Sequence, residues 1–480
     1  MPVVRKLYGP PGTGKTTTLI RLVEEEVKKG TPLHEIAYLS FTKAAAEVVK
    51  DRMRATSKDM RWFKTIHAAC LKLNGMTGNV INYHDKRDFS DTGKFYISDI
   101  EDELEKGFNP AMRAWHYSLH TGIPEHKVIA GMPLNPCFRA YDAFKDAWNA
   151  YKAAKFKCDF MDMLTDYSGA PLPCKVVFLD EAQDLSNLQW GIFEKLIAGA
   201  ERVYLAGDDD QAIYGFIGGS EYGFLEYPAD EEEVLDTSFR VPATIGRRAD
   251  KVIHKVKHRK EKFVNWSKNK GSYETLNLDT MMIPWHKYVA EYKDIMVLAR
   301  HRKVAREFSD SLNYIAMPHS FDKHGIQDWR ETKFAHTYFL LREGGTCSPS
   351  KAANLVKAAG YDDSKIRSIA RHKKVTFDDI PFDDFPFRGP RYDTIKLMVR
   401  QKGFEALNTK PKIKISTMHG AKGDEAELVI IVPDCNSIVK DNINTPNELR
   451  LSYVAMTRAQ KKVIVMVPRS GTYMTHFLGG

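Results

Sequence analysis

Long apolar runs, paired cysteines and a leader pattern are all missing from this sequence of 480 residues. No apolar run approaches the ~20 residues that a membrane-spanning helix needs, so we expect no membrane segment. The first residues lack the pattern of a signal peptide, which favours a cytoplasmic location. The six cysteines are scattered without a CxxC pair, a distribution that excludes a disulfide framework, a zinc site and an iron–sulfur cluster. We therefore expect a cytoplasmic protein with reduced thiols.

The charge balance is mildly basic. Lysine and arginine number 71 and aspartate and glutamate 62, so the formal net charge is +9. Such an excess permits a polyanionic partner without requiring one. The length exceeds what one hydrophobic core usually serves, and it predicts about two to four domains.

A glycine-rich loop stands close to the first residue. Residues 9–16, GPPGTGKT, fit the pattern G-x4-G-K-[ST], between a β-like run over 3–8 and a helical pattern over 17–28. Glycines let backbone N–H groups approach phosphates, and the helix N-terminus adds its positive dipole end. We expect Lys15 to reach the β- and γ-phosphates of a nucleoside triphosphate and Thr16 to bind Mg²⁺. The predicted nucleotide-binding segment comprises Gly9, Pro10, Pro11, Gly12, Thr13, Gly14, Lys15, Thr16 and Thr17.

A second motif supplies carboxylates. The segment KVVFLDEAQDL has an unbroken apolar run over 176–179 that ends in Asp180 and Glu181. Carboxylates at the C-terminal end of a buried parallel strand meet the phosphates held by a neighbouring P-loop. We expect Asp180 to hold Mg²⁺ through water and Glu181 to polarise the attacking water. A third apolar run leads into GDDDQ over 207–211, so the order of elements predicts a doubly wound α/β P-loop NTPase.

Beyond this point a family resemblance adds to the residues. DEAQDLSNLQ and GDDDQAIYGF resemble superfamily 1A helicases of the UvrD/Rep/PcrA type. Further segments are similar to that family's motifs in the same order: LSFTKAAAEVVKDRM, KTIHAA, LDTSFRVPATI, IMVLARHRK, ISTMHGAKGDEAELVII and ELRLSYVAMTRAQKKVIVM. We number the motifs as the family does, so that GDDDQAIYGF is motif III and the last segment is motif VI.

The resemblance implies an α/β fold of two RecA-like P-loop lobes, with parallel sheets flanked by helices. Each lobe is expected to carry an inserted, mainly helical subdomain. The implied boundaries are 1–67 with 155–234 for the first lobe, 68–154 for its insertion, 235–310 with 396–480 for the second lobe, and 311–395 for a reduced second insertion.

In this family the nucleotide lies between the lobes. By motif position, Gln211 is expected to sense the γ-phosphate or its water, and Arg240 and Arg458 to act as arginine fingers. Glu425 matches a residue that contacts the ribose. Two guanidinium groups suit the chemistry, because charge on the transferring phosphoryl group is best met by fixed cations in a dry cleft.

Recognition of the base is expected to be loose. Eight residues precede Gly9, so we expect the family's adenine-reading Q motif to be absent. Phe239 stands where relatives carry a tyrosine that stacks on the base. An aromatic face is kept while the group that reads the base edge is lost, so we expect ATP use with relaxed nucleotide preference.

Single strands are gripped by phosphate contacts and by aromatic faces for the bases. Matching family positions for these contacts are Phe41, Tyr214, Phe216 and Arg300. Positions expected along the backbone, or coupling it to the nucleotide, are Thr42, Thr65, His67, Thr417 and His419. Core packing is the alternative for Phe41 and Phe216. Ile217 stands where relatives often have arginine, so one charge contact is missing.

Two further segments leave alternatives open. The basic stretch 251–262 is interpreted as a helix that faces duplex or, alternatively, solvent. In the second insertion, Ser348, Pro349 and Gly360 predict the start and end of a helix. The acidic and aromatic stretch 378–390 is interpreted as a connector or, alternatively, as a partner-docking or inhibitory strip.

The resemblance implies an ATP-driven single-stranded DNA translocase and 3′→5′ DNA helicase that uses ATP and Mg²⁺. Its expected partners are single-stranded DNA and single/double-strand junctions, with no membrane partner, and we expect a monomer. The alternative is an ATP-switched single-stranded DNA binding or loading factor with little unwinding. A fused nuclease is not expected, because motif VI ends within about 20 residues of Gly480. Motifs III and VI speak against the RNA-directed branch of superfamily 1.

Overall fold

The chain divides into two compact units. The computed structural model describes residues 2–40, 59–75, 79–92, 95, 97, 110–131, 138–277, 282–322, 324–325, 328–382 and 384–478. Unit 1 contains Met1–Lys270 and Asn442–Thr457, and unit 2 contains Gly271–Asp441 and Arg458–Gly480. The lobe and insertion boundaries implied by the resemblance stay predictions.

Unit 1 is built on a parallel sheet. In spatial order its described strands are β3 (Phe63–Thr65), β2 (Ile36–Ser40), β4 (Val176–Asp180), β5 (Arg202–Gly207), β1 (Val3–Tyr8) and β6 (Glu231–Val234). All the pairings between these neighbours are parallel. Every residue of β2 and of β4 is buried, as expected for central strands covered by helices on both faces.

The helices of unit 1 flank this sheet and fill an insertion between β3 and β4. Those in the described part of unit 1 are α1 (Lys15–Lys28), α2 (Ile66–Leu73), α3 (Tyr83–Asp91), α4 (Pro110–Thr121), α5 (Glu125–Ala130), α6 (Phe138–Lys155), α7 (Phe160–Thr165), α8 (Asn187–Leu196), α9 (Gly223–Glu226), α10 (Ala243–Ile253) and α18 (Pro446–Met456). The insertion has its own core, in which the rings of Phe89 and Trp148 lie 4.9 Å apart. A small parallel ladder joins β7 (Thr237–Pro242) to β8 (Asn265–Ser267).

Unit 2 has a second, mostly parallel sheet. In spatial order its described strands are β12 (His324–Gly325), β11 (His319–Phe321), β13 (Ile413–Thr417), β10 (Ile295–Ala299), β14 (Ala426–Val432), β15 (Ala459–Met466) and β9 (Ser272–Leu276). Its described helices are α11 (Trp285–Glu291), α12 (Arg302–Tyr314), α13 (Arg330–Arg342), α14 (Pro349–Ala358), α15 (Asp363–Ile369), α16 (Pro390–Lys402) and α17 (Ser437–Asp441). The predicted α/β class, with parallel sheets flanked by helices, is therefore confirmed.

The second insertion, between β12 and β13, is helical and has an aromatic core. Helix α14 begins after Ser348, whose hydroxyl accepts from the backbone N–H of Lys351, and Gly360 follows its end with φ of +86°. The predicted start and end of this helix are confirmed. The interpretation of 378–390 as an exposed docking strip is wrong, because its aromatic side chains pack inside the insertion, whereas its interpretation as a connector stays a prediction. Phe382 stacks on Tyr338 with ring centroids 6.1 Å apart, and Phe385 stacks on Phe339 at 5.4 Å.

The expectations about membrane helices and cysteines can be checked in the residues that the structure describes. Within them, no helix combines the length and the apolar composition needed to cross a membrane. Five of the cysteines lie in this part of the chain, and all five are buried free thiols.

Candidate functional site

The P-loop connects β1 to α1 and is tightly wound. Gly12 and Gly14 have φ of +77° and +80°, a left-handed conformation that favours glycine. The Nζ of Lys15 donates to the carbonyl of Gly9 at 2.9 Å. A Cβ at Gly9 would lie 1.8 Å from Cγ of Lys15, so this position must be glycine for the lysine stem to pass.

Asp180 and Glu181 stand at the C-terminal end of β4, beside the P-loop. The Oδ2 of Asp180 accepts hydrogen bonds from the hydroxyls of Thr16 at 3.2 Å and Tyr38 at 2.8 Å. Burial, and then the charge of Glu181, raise the pKa of Asp180 to about 6. Glu181 has φ of +56°, a strained conformation for a residue with a side chain, and such strain clusters at functional sites. The Nζ of Lys15 lies 3.8 Å from Oε1 of Glu181.

The donor set fits a divalent cation. A threonine hydroxyl and a buried carboxylate lie within 3.2 Å of each other, and both are oxygen ligands of the kind that Mg²⁺ prefers. The raised pKa shows that the carboxylate lacks full compensation for its charge, which a cation would supply. Thr16 and Asp180 are therefore the residues that would hold Mg²⁺, as predicted by their motifs.

Gln183 is a residue of this site that the sequence analysis missed. Its Nε2 donates to Oε2 of Glu181 at 2.6 Å, and its Oε1 accepts from the backbone N–H of Asp208 at 2.9 Å. Its side chain is buried, and a Cβ at Gly207 would come within 2.7 Å of Oε1. Gln183 thus ties the carboxylate after β4 to the end of β5. The sequence clue to this residue is its position two residues after Glu181, within the same motif.

Three consecutive aspartates follow β5, and two cations from a distant segment form ion pairs with them. The Nζ of Lys262 lies 2.7, 2.5 and 2.9 Å from carboxylate oxygens of Asp208, Asp209 and Asp210. Arg259 binds Asp210 through Nε and Nη2, at 2.8 and 2.5 Å. This corrects the interpretation of 251–262 as a basic helix exposed to duplex or solvent, because α10 ends at Ile253. We call this set of five residues the aspartate clamp.

Gln211 lies in a 3-10 turn directly after the aspartates. Its Nε2 donates to Oδ2 of Asp208 at 2.7 Å. Asp208 therefore joins Gln211, Gln183 and Lys262 in one hydrogen-bonded set. Sensing of the γ-phosphate by Gln211 stays a prediction.

Strand β7 brings two predicted nucleotide residues to the P-loop. The hydroxyl of Ser238 donates to the carbonyl of Pro11 at 2.7 Å, and the N–H of Phe239 donates to the carbonyl of Gly12 at 2.9 Å. The Phe239 side chain is 73% exposed and offers a free aromatic face. A Cβ at Gly12 would lie 2.6 Å from Cβ of Arg240, whose Nη2 donates to the carbonyl of Thr457 at 3.3 Å.

Unit 2 places Arg458 and Glu425 next to each other. The backbone carbonyl of Arg458 accepts from the N–H of Ala426 at 3.0 Å, and its Nη1 donates to the carbonyl of Asp424 at 3.4 Å. The side chain of Glu425 accepts from Nε2 of Gln460 at 2.8 Å. Their predicted contacts with phosphate and ribose stay predictions.

Among the predicted strand-contacting residues of unit 1, Thr65 caps the N-terminus of α2, because its hydroxyl accepts from the N–H of Ala68 at 3.2 Å. His67, two residues further on, has a pKa lowered to about 4, chiefly because burial disfavours its charged form. The rings of Tyr214 and Phe216 lie 6.3 Å apart in the loop after Gln211. Phe41 and Thr42 lie outside the described residues.

The predicted contacts of unit 2 converge at one sheet edge. In the parallel pairing of β10 with β13, Ala299 is opposite Thr417, so Arg300, Thr417 and His419 follow the ends of adjacent strands. The hydroxyl of Thr417 accepts from the N–H of Gly420 at 3.1 Å. Burial, followed by the positive charge of Arg300, lowers the pKa of His419 to about 3. His419 is therefore neutral at physiological pH, and Arg300 carries the charge.

Comparison with known proteins agrees with this geometry. Residues 4–231 match the model of the UvrD/REP helicase N-terminal domain, and residues 395–470 match that of the UvrD-like helicase C-terminal domain. The chain is 21% identical over 363 residues to the ATP-dependent DNA helicase PcrA of Staphylococcus aureus (strain Mu50 / ATCC 700699), covering 66% of this chain and 49% of that protein.

Other relatives give a similar picture. The chain is 23% identical over 342 residues to the ATP-dependent DNA helicase PcrA of Staphylococcus epidermidis (strain ATCC 12228 / FDA PCI 1200), covering 64% of this chain and 46% of that protein. A solved structure of the PRRSV helicase matches with a TM-score of 0.37 and 10% identity, covering 98% of this chain and 53% of that one. The chain spans about half the length of the curated relatives it matches. The two domain models, in order along one chain, show that this chain belongs to the superfamily 1A helicases of the UvrD/Rep/PcrA type.

Proposed function

We propose that this chain is an ATP-driven single-stranded DNA translocase and 3′→5′ DNA helicase. One observation carries the proposal: Lys15, the Thr16–Asp180 pair and Glu181 meet at one edge of the unit 1 sheet. That arrangement suits hydrolysis of a nucleoside triphosphate. The family and its motifs support DNA as the track and 3′→5′ as the direction.

Lys15 is positioned to exchange partners when a nucleotide binds. Its Nζ now donates to the carbonyl of Gly9 and lies near Glu181. A β- or γ-phosphate oxygen is a stronger acceptor than a neutral carbonyl, so the lysine turns to the phosphates on binding. Mg²⁺, held by Thr16 and Asp180, would supply positive charge against the phosphate oxygens.

Glu181 acts as the group that orients the attacking water and accepts its proton. Gln183 holds one carboxylate oxygen at 2.6 Å, which leaves the other directed toward Lys15 at 3.8 Å. A carboxylate fixed in this way loses little orientational freedom when the reaction occurs. Gln183 is therefore a positioning residue in the proposed reaction.

Cationic side chains meet the charge that develops on the transferring phosphoryl group. Arg240 is packed against the P-loop at Gly12, which supports its role as an arginine finger. Arg458 is proposed as the second finger on the basis of its motif. Phe239 presents an exposed face to the base, and stacking on such a face is indifferent to the base edge. We propose ATP as substrate with relaxed preference among nucleotides.

The strand is proposed to contact both units. In unit 1, Tyr214 and Phe216 offer rings for base stacking. In unit 2, Arg300 offers charge to a phosphate, while the neutral His419 and Thr417 offer hydrogen bonds. Single/double-strand junctions are the proposed substrates, and the proposed active species is a monomer.

The test is strand displacement on four substrates: DNA and RNA duplexes with either a 3′ or a 5′ single-stranded tail. We expect displacement of the 3′-tailed DNA with ATP and Mg²⁺, and none by the Glu181→Gln control. Displacement confined to 5′-tailed DNA would show that the proposed direction is wrong. Displacement confined to RNA would show that the track is wrong.

The same experiment distinguishes a helicase from the alternative function, a loading factor. A loading factor binds single strands with an affinity that changes with nucleotide, yet it displaces no strand even when enzyme exceeds DNA. Turnover stimulated by single strands fits both functions, so displacement decides between them.

A further inference from the structure

An ion pair joins motif VI to the loop after motif III, away from the phosphate-binding residues. Arg450, on α18, donates from Nη1 to Oε1 of Glu221 at 2.6 Å. The Arg450 side chain is completely buried, whereas that of Glu221 is 29% exposed. Both residues belong to unit 1.

The guanidinium of Arg450 is incompletely hydrogen-bonded. Its Nε and Nη2 are buried and have no hydrogen-bond partner among the residues that the structure describes. Arginine carries five N–H donors in a fork that matches both oxygens of a carboxylate, and leaving buried donors without acceptors costs free energy. A small shift of Glu221 converts the single contact into a bidentate pair and satisfies a further donor.

The loop that holds Glu221 also carries the predicted base-stacking rings. A 3-10 turn over Gly215–Ile217 follows Tyr214, and the N–H of Gly219 donates back to the carbonyl of Tyr214 at 3.0 Å. A Cβ at Gly215 would lie 3.2 Å from Nδ2 of Asn447, so the loop packs closely on α18. Asn447 and Arg450 are three residues apart and therefore share a face of that helix.

The C-terminal end of α18 lies next to Arg240, one of the residues predicted to contact the nucleotide. All residues from Glu448 to Met456 are buried, so the helix is held on every side. The carbonyl of Thr457, just after its end, accepts from Nη2 of Arg240. Arg450 and Thr457 are separated by about 10 Å of helix at 1.5 Å per residue. The buried helix α18 therefore connects Arg450 to the carbonyl that accepts a hydrogen bond from Arg240.

We propose that the Arg450–Glu221 pair couples strand binding to hydrolysis: stacking of a base on the motif III loop closes the pair into a bidentate contact, and α18 carries the shift to Arg240. Arg450 and Glu221 are positioning residues, since neither is placed against nucleotide or strand. The inference rests on the proposed function, because it assumes turnover that single-stranded DNA stimulates.

Two conservative variants keep the observed single contact between residues 221 and 450 and prevent it from becoming bidentate. Glu221→Gln retains one oxygen for Nη1, but its amide N–H groups oppose a second guanidinium donor. Arg450→Lys retains the charge and loses the fork. Glu226→Gln is the matched control, because Glu226 is a nearby exposed carboxylate whose ion-pair partner is His258.

The measurement is ATP turnover by the full chain, without DNA and with saturating oligothymidylate. We expect stimulation by DNA to fall about tenfold in Glu221→Gln and in Arg450→Lys, a usual size for coupling between two sites. Basal turnover should match the parent when it is measured well below the unfolding midpoint of each variant, because Glu221→Gln leaves a buried guanidinium without its counter-charge and lowers that midpoint. The double variant should lose no more stimulation than either single one, because both remove the same closure.

The outcomes separate this inference from the proposed function. If the parent is stimulated by DNA and both variants keep full stimulation, the coupling role is wrong and the proposed function stands. If basal and stimulated turnover fall in parallel, the pair is structural and the coupling role is again wrong. If DNA does not stimulate ATP turnover by the parent protein, the proposed function is wrong and so is the inference that rests on it.

Discussion

Two acidic clusters stand at the ends of adjacent parallel strands in unit 1, and they are treated in opposite ways. Asp180 and Glu181 follow β4, and Asp208, Asp209 and Asp210 follow β5. At the first cluster the ion pair is loose, with Lys15 3.8 Å from Glu181. At the second, the Nζ of Lys262 lies within 2.9 Å of all three aspartates.

The pKa values follow this difference. Burial raises the pKa of both Asp180 and Asp208 in the first instance. At Asp180 the charge of Glu181 adds to that effect, and the pKa rises to about 6. At Asp208 the charges of Lys262 and Lys15 and the hydrogen bonds from Lys262 and Gln211 together outweigh burial, and the pKa falls below its usual range. Asp180 is thus short of counter-charge and Asp208 is not, although burial also raises the pKa of Asp209 in the second cluster.

The contrast indicates what each cluster is for. A buried carboxylate with its counter-charge built into the chain serves the fold, because its electrostatic needs are met without a ligand. A carboxylate that lacks this compensation is suited to receive a cation and a phosphate from outside. The first cluster is therefore the ligand site, and the aspartate clamp is the rigid wall beside it.

The largest effect is expected from breaking the clamp. Lys262→Met leaves three buried carboxylates short of a counter-charge, so the free energy of unfolding should fall by about 3–5 kcal/mol. Denaturant unfolding measures it. Lys260→Met is the control, since Lys260 pairs with Glu232 near the surface and its loss should cost less than about 1 kcal/mol. Equal losses in the two variants would mean that the clamp does not hold unit 1 together.

At the ligand site, the expected effect is on turnover. Glu181→Gln keeps the shape of the side chain and removes the group that accepts the proton of water. ATP turnover should fall on the order of a hundredfold or more, while nucleotide and DNA binding persist. Stability should change little, because Glu181 is partly exposed. Hydrolysis at the parental rate would show that another group activates the water.

A smaller effect, a gain in the free energy of unfolding instead of a loss, distinguishes the two clusters through its dependence on pH. The folded state binds a proton on Asp180 more tightly than the unfolded chain, so its contribution to stability is lost as pH rises through about 6. In metal-free buffer at about pH 7.5, Asp180→Asn should therefore raise the free energy of unfolding by about 3 kcal/mol. The gain should disappear below about pH 3, where Asp180 is protonated in both states.

Asp208→Asn is the matched control for that experiment. Its pKa is lowered by Lys262, so the ionised form stabilises the fold and the variant should be less stable than the parent at neutral pH. Its deficit should shrink as pH falls through the acidic range where the carboxylate protonates. A loss of stability in both variants would contradict the distinction between the clusters.

The sequence predicts the ligand site far better than the clamp, and the reason is chain distance. The P-loop and the Asp180–Glu181 pair lie in short contiguous motifs whose flanking strands and helix can be recognised locally. The clamp joins Asp208 to Lys262, 54 positions away, and nothing local marks which lysine supplies the charge. The composition of 251–262 accordingly predicts a basic helix, whereas the helix ends at Ile253.

Packing partners were equally hidden from the sequence. The acidic and aromatic stretch 378–390 has the composition of an exposed strip, yet its phenylalanines stack on Tyr338 and Phe339 of α13. A ring that faces a partner on another helix carries no local signal of that partner. By contrast, the helix beginning after Ser348 was predicted correctly, because caps and stops are encoded within one turn of the helix end.

The smallest expected effect concerns Gln183, which joins the two clusters. Gln183→Leu removes the hydrogen bonds to Glu181 and to the backbone of Asp208, so the water-activating carboxylate loses its fixed orientation. We expect ATP turnover to fall about tenfold with little change in the KM for ATP, as when the support of a reacting group is removed.

Gln189→Leu is the control, because this buried glutamine caps α8 through Ser186 and does not touch either cluster. Both variants bury a leucine in place of a glutamine, so both should lose some stability, while Gln189→Leu should keep its turnover. If the two variants lose turnover equally, the loss reflects general weakening of unit 1. The clamp would then support the fold without orienting the catalytic carboxylate next to it.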